Sequence, residues 1–160
     1  MRAIILMGSP SDREVAQQIG KGLDGYRIPY ELRIASAHKT PRYLLELLAG
    51  YEADPEPKVY ITIAGRSNAL SGMVDAAVSA PVIACPPYSE KFGGADLYSS
   101  LRAPSGVAPA VVLEPQNAAL LAAKILALAA PELRQAILDE QAAQRERLLA
   151  ADREAHPEKP

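Results

Sequence analysis

One pattern, repeated five times, constrains this 160-residue chain more than any other: a short apolar run, a stop in small and polar residues, then a longer segment of helical period. The first unit runs from Ala3 to Met7 and breaks at Gly8-Ser9-Pro10-Ser11-Asp12. It continues with Val15, Ile19 and Leu23, one helical turn apart, and stops near Gly25. The second alternates Tyr30, Leu32 and Ile34 with Glu31 and Arg33, passes Ser36-Ala37-His38-Lys39-Thr40, and enters a helix whose apolar face is Leu44, Leu45, Leu47, Leu48 and Tyr51. Thr40 before Pro41 marks its start, with a hydroxyl at the N-cap and proline where a missing N–H costs nothing. Val59 to Ala64 predicts a buried third strand, ended by Gly65-Arg66-Ser67-Asn68 and followed by a helix with Met73, Val74 and Ala77. Val82 to Cys85 predicts the fourth, cut short by Pro86-Pro87. Tyr88 to Ala95 has the composition of a mobile loop, and Asp96 to Arg102 reads as helical. Val111 to Leu113 and the helix Ala118 to Leu128 complete the fifth unit. Pro131 opens a last helix, charged from Asp139 onward, and His156 to Pro160 read as a frayed tail.

Strands separated by helices pair in parallel, and a parallel sheet needs both faces covered. The expected architecture is a three-layer αβα sandwich, flavodoxin-like or Rossmann-like, around a parallel sheet of about five strands, with helices added at the C-terminus. With 49% hydrophobic residues, this length suits one core. Residues 1–130 are read as a single α/β domain carrying the site, and 131–160 as a helical extension. Ligands of such open sheets sit outside the carboxyl ends of the strands. Each polar cluster follows a strand and precedes a helix, so the clusters are predicted to converge on that edge.

Composition narrows the chemistry. The single cysteine, Cys85, makes no internal disulfide, and it does not cluster with the two histidines, His38 and His156, so no metal is expected. Cys85 beside Pro86 reads as a buried small hydrophobe. A formal net charge of −2 with scattered basic residues lacks the footprint of a nucleic-acid binder. No apolar run reaches the length of a membrane span, and the first residues meet a turn too early for a secretory leader, so a cytoplasmic location is expected.

Gly8 to Asp12 joins a strand to a helix N-terminus, where free N–H groups and the helix dipole favour an anion. Ser9 and Ser11 can add hydroxyl donors to a phosphate. Asp12 would repel one, and is assigned to ribose hydroxyls or to helix capping. The alternative is an ordinary capped turn. Ser36-Ala37-His38-Lys39 sets an imidazole, which can take and return a proton near neutral pH, beside a cation that can hold an anion. The alternative is a histidine that caps the next helix. Gly65-Arg66-Ser67-Asn68 offers close backbone approach, a guanidinium and amide hydrogen bonds. Arg66 serves equally as an inter-subunit ion pair, and Arg102 has the same ambiguity.

At these clusters the chain resembles the family of AIR carboxylases and carboxyaminoimidazole ribonucleotide mutases. The matching stretches are M-G-S-P-S-D (Met7 to Asp12), S-A-H-K-T-P (Ser36 to Pro41), A-G-R-S-N-A-L-S-G-M (Ala64 to Met73), P-V-I-A-C-P-P (Pro81 to Pro87), Y-S-S-L-R-A-P-S-G (Tyr98 to Gly106) and L-E-P-Q-N-A-A-L-L-A-A-K-I (Leu113 to Ile125). The mutase branch typically has arginine where Lys39 stands, and a longer glycine- and alanine-rich loop with a second histidine. R-S-N-A-L-S-G has none, which resembles the branch that uses CO2 directly. Pro10 departs from the family, which commonly has a small flexible residue there; it removes one N–H donor from the turn.

The resemblance implies a carboxylase of de novo purine biosynthesis acting on aminoimidazole ribonucleotide (AIR) and CO2, with no cofactor. It implies that Ser9, Ser11, Asp12, Ser36, Lys39 and Ser67 line the nucleotide site, joined here by Gly65 and Arg66, with His38 transferring the proton. It also implies a homo-octamer. Independently, Leu120, Leu121, Ile125 and Leu128, then Leu133, Ile137, Leu148 and Leu149, give the terminal helices more apolar surface than one side of a sheet needs. Contacts between copies are expected there; the alternative is that both helices pack back on their own domain.

Overall fold

The central strands are apolar at consecutive positions because alternate residues feed two separate cores. In the computed structural model, which describes residues 1–156, five strands form one wholly parallel sheet in the order β2-β1-β3-β4-β5. They are β1 (Arg2–Met7), β2 (Tyr30–Ile34), β3 (Lys58–Ile63), β4 (Val82–Ala84) and β5 (Ala110–Val111). The helices are α1 (Arg13–Gly25), α2 (Pro41–Glu52), α3 (Ala69–Asp75), α4 (Tyr98–Leu101), α5 (Pro115–Leu126) and α6 (Leu133–Ala155). Ala3, Ile5 and Met7 of β1, with Val59, Ile61 and Ile63 of β3, pack under α1 and α5. Ile4, Leu6 and Tyr60 face the other way, onto Leu44, Leu48 and Tyr51 of α2 and Leu70 and Val74 of α3. The three expected layers are present.

Some local expectations change. β2 is an edge strand, and its alternation leaves Leu32 and Ile34 each 37% exposed, because only Tyr30 reaches the core beneath α1. The last helix begins at Leu133 rather than Pro131, after a turn, and Leu128 lies beyond the end of α5, on the surface. Leu133 and Ile137 pack back into the core under α1 and α5, whereas Leu138, Leu148 and Leu149 are exposed as α6 runs on. The expected frayed tail falls mainly on 157–160, outside the described residues. Among those described, no helix is long and apolar enough to cross a membrane.

Candidate active site

β1 lies between β2 and β3, and Met7 pairs with Ile34 on one side and Ile63 on the other, so the three strands end level. The loops 8–12, 35–40 and 64–68 therefore leave one edge side by side, about 4.8 Å apart at their roots. This is also where the strand order reverses, with β2 to one side of β1 and the later strands to the other. Such a point is where open α/β sheets bind ligands.

The first loop is a closed turn. Ser9 caps a short 3₁₀ turn, Pro10–Asp12, in a reciprocal box: its backbone N–H donates to Asp12 Oδ2 at 2.9 Å, and its Oγ accepts from Ser11 N at 3.3 Å. The N–H groups of Asp12 and Arg13 go to the carbonyls of Ser9 and Pro10. The amides expected to await an anion are thus engaged within the turn. What the loop presents outward is hydroxyl: Ser11 Oγ donates to Ser9 Oγ at 2.9 Å. Asp12 is 8% exposed, and its carboxylate caps the turn, one of its two readings. Burial raises its carboxyl above the ordinary carboxylate range, and the hydrogen bond from Ser9 N–H offsets only part of that.

The second loop is also closed on itself. Ser36 N donates to Thr40 Oγ1 at 2.9 Å, and Lys39 N to Ser36 Oγ at 3.2 Å. Thr40 sits at the N-cap of α2, as expected, but its hydroxyl makes no cap bond to the helix because it is used by Ser36. His38 and Lys39 are exposed, and their side chains make no hydrogen bond or ion pair among the described residues. His38 is therefore not the helix cap of its bland reading, and its imidazole is open to the edge where the three loops meet.

The third loop is held from outside. Arg66 has a left-handed backbone, φ 58°, uncommon for a residue with a side chain. Its N–H donates to Asp96 Oδ2 at 3.0 Å, while its guanidinium is unpaired among the described residues. Ser99 Oγ accepts from Asn68 N at 3.0 Å and lies 2.9 Å from the Arg66 carbonyl and 2.8 Å from that of Asp96, either of which can take its proton. Asn68 is buried, caps α3 through Ser71 N, and donates from Nδ2 to Ser100 Oγ at 2.9 Å. A Cβ on Gly65 would sit 3.4 Å from Pro87 Cγ, an ordinary van der Waals contact. Sequence reading gave no role to Asp96, Ser99 or Ser100, although Ser99 and Ser100 lie in the family-like stretch Tyr98 to Gly106, because their partners stand about thirty residues earlier in the chain.

A cleft of about 230 Å³ borders this loop, lined by Ser67, Asn68, Ser71, Ser99, Ser100 and Arg102. Larger cavities of about 380 and 580 Å³ lie elsewhere, at the opposite end of the sheet and between α1, α5 and α6, away from every predicted site residue. Along the loop expected to be mobile, Gly93 and Gly94 take left-handed backbones between two 3₁₀ turns and Tyr88 is 82% exposed. Cys85 is fully buried at the end of β4; desolvation, then the nearby Glu114 carboxylate, push its thiol up to about 12, which removes it as a nucleophile.

A family model described as AIR carboxylase matches residues 2–147. The chain belongs to the AIR carboxylase family. A relative from Archaeoglobus fulgidus named phosphoribosylaminoimidazole carboxylase is 53% identical over 154 residues, covering 96% of this chain and 84% of its own. One of the same name from Treponema denticola is 60% identical over 125 residues, covering 78% and 79%. The crystal structure of Treponema denticola PurE superposes with a TM-score of 0.92 at 48% identity over 98% of each chain. For this member of the AIR carboxylase family, that agreement extends to the C-terminal helix, which lies within the overlap.

Proposed function

We propose that this chain carboxylates 5-aminoimidazole ribonucleotide directly with CO2, reversibly, to give 4-carboxy-5-aminoimidazole ribonucleotide in de novo purine biosynthesis, without ATP or biotin. The observation that carries this reading is the 53–60% identity to relatives named phosphoribosylaminoimidazole carboxylase, joined to an exposed His38 among three level loops. The exocyclic amino group makes the adjacent ring carbon enamine-like, so that carbon attacks CO2 and forms the new C–C bond. The attacking ring carbon then carries both its hydrogen and the new carboxylate; His38 removes the hydrogen as a proton and the ring regains aromaticity. No activated carboxyl carrier is required for this balance.

In this reading Ser9, Ser11, Ser36 and Ser67 offer hydroxyls to the nucleotide, Lys39 and Arg66 neutralise its phosphate, and Gly65 allows close backbone approach. Asp12 acts from beneath by fixing Ser9. CO2 is small, uncharged and weakly held, so closing residues 88–95 over the edge would serve to retain it beside the ring. We place the enzyme in the cytoplasm as a homo-octamer with α6 among its contacts. The deciding experiment offers the purified protein either aminoimidazole ribonucleotide with bicarbonate-derived CO2 or the N-carboxylated substrate. Consumption of the first supports direct carboxylation. Turnover of the second alone would make the protein a mutase.

A further inference from the structure

We infer that Asp96 is a positioning residue for this reaction, holding Arg66 in its left-handed conformation and, with Ser99, tying residues 96–99 to the loop 64–68. The inference rests on the function proposed above. A left-handed backbone is uncommon for a residue with a side chain, and it is favoured where the surrounding structure holds it. Here the groups that hold it come from about thirty positions later in the chain: Asp96 accepts the Arg66 N–H at 3.0 Å, and Ser99 lies within hydrogen-bond reach of the Arg66 carbonyl at 2.9 Å while accepting Asn68 N–H at 3.0 Å. Both backbone polar groups of Arg66 are therefore held by one short segment.

The choice of partner matters. A carboxylate beside an arginine ordinarily pairs with the guanidinium, the stronger donor. Asp96 instead takes the amide and leaves the guanidinium, with Gly65 and Ser67 on either side, free to meet an anionic substrate. Asp96 also begins where the glycine-containing 88–95 segment ends, and a Cβ on Gly65 would lie 3.8 Å from Asp96 Oδ2.

The test compares Asp96→Ala with Asp96→Asn, whose amide oxygen can accept the same N–H. Asp96→Ala is expected to lose about tenfold or more in kcat/KM, mostly through a raised KM, and to speed hydrogen exchange at the Arg66 amide. Asp96→Asn should stay within about threefold of the unmodified enzyme. Ser99→Ala, which removes the second tie, should shift KM in the same direction and serves if Asp96→Ala fails to fold. An unchanged KM in both truncations overturns the inference, as does Asp96→Asn behaving like Asp96→Ala, which would mean that charge rather than N–H acceptance is at work. Absence of turnover in the unmodified enzyme would instead defeat the carboxylase reading.

Discussion

His38 carries the proposed chemistry while contributing little to the fold, since its exposed side chain has no hydrogen-bond partner among the described residues. His38→Asn is expected to keep the melting temperature and substrate binding while lowering kcat by about a hundredfold or more, checked by steady-state kinetics beside a thermal melt. Asp12 is the converse case. Its carboxyl binds a proton more tightly in the folded state than in the unfolded chain, so ionisation works against folding. That penalty is absent below the ordinary carboxylate pKa of about 4 and grows as pH rises toward the folded value. Asp12→Asn should therefore gain stability relative to the unmodified protein across that rise, in urea unfolding from acid to neutral pH, even as turnover falls. A flat difference would show that burial does not govern this group. Of the candidate site, the loops that bring the hydroxyls, His38 and Lys39 to one edge were legible because each follows a strand. The left-handed Arg66 was not, because arginine does not advertise positive φ as glycine does, and its supports lie some thirty residues away.

Among the elements, strands buried on both faces were readable directly: Lys58–Ile63 is buried at every position and Val59–Ile63 shows in sequence as an unbroken β-prone run. β5 was placed less well, at Val111–Leu113 against Ala110–Val111, because an edge strand two residues long leaves little pattern. In α5, Ala118, Ala119, Ala122 and Ala123 are fully buried, and their small side chains let the helix approach both α1 and the sheet. Gly22 marks the contact: a Cβ there would fall 2.6 Å from Ala119 Cβ and 2.8 Å from Gln116 Oε1. Gly22→Ala should destabilise by about 1–3 kcal/mol despite the better helix propensity of alanine. Gly50, in α2, has nothing within 4 Å of such a Cβ, so Gly50→Ala should stabilise by about 0.5–1 kcal/mol. Denaturant melts of the two variants measure the contrast directly; equal effects would remove close packing as its cause.

At the scale of the whole molecule, α6 divides at about Ile137. Its first turns belong to the core, while Leu148 is 73% exposed and the helix continues to Ala155. Removing residues from Leu138 onward should spare the protomer fold and weaken assembly, read by light scattering at low micromolar concentration. An intact particle at the 17.1 kDa chain mass, before any truncation, would defeat the oligomer reading. The sheet topology bears on something else, the order in which a ribosome can deliver this fold. Every strand pairing joins distant residues, such as Ala3 with Tyr30, Ala3 with Val59, Tyr60 with Val82 and Ile83 with Ala110, so no hairpin can nucleate the sheet and refolding should be slow for the chain length. β1, the first strand synthesised, occupies the inside of the sheet and lacks its second neighbour until β3 has emerged; only then can β4 and β5 add in sequence. The nascent chain must therefore carry an apolar strand with at least one unpaired edge until β3 has been made, the interval in which a chaperone would have most to cover.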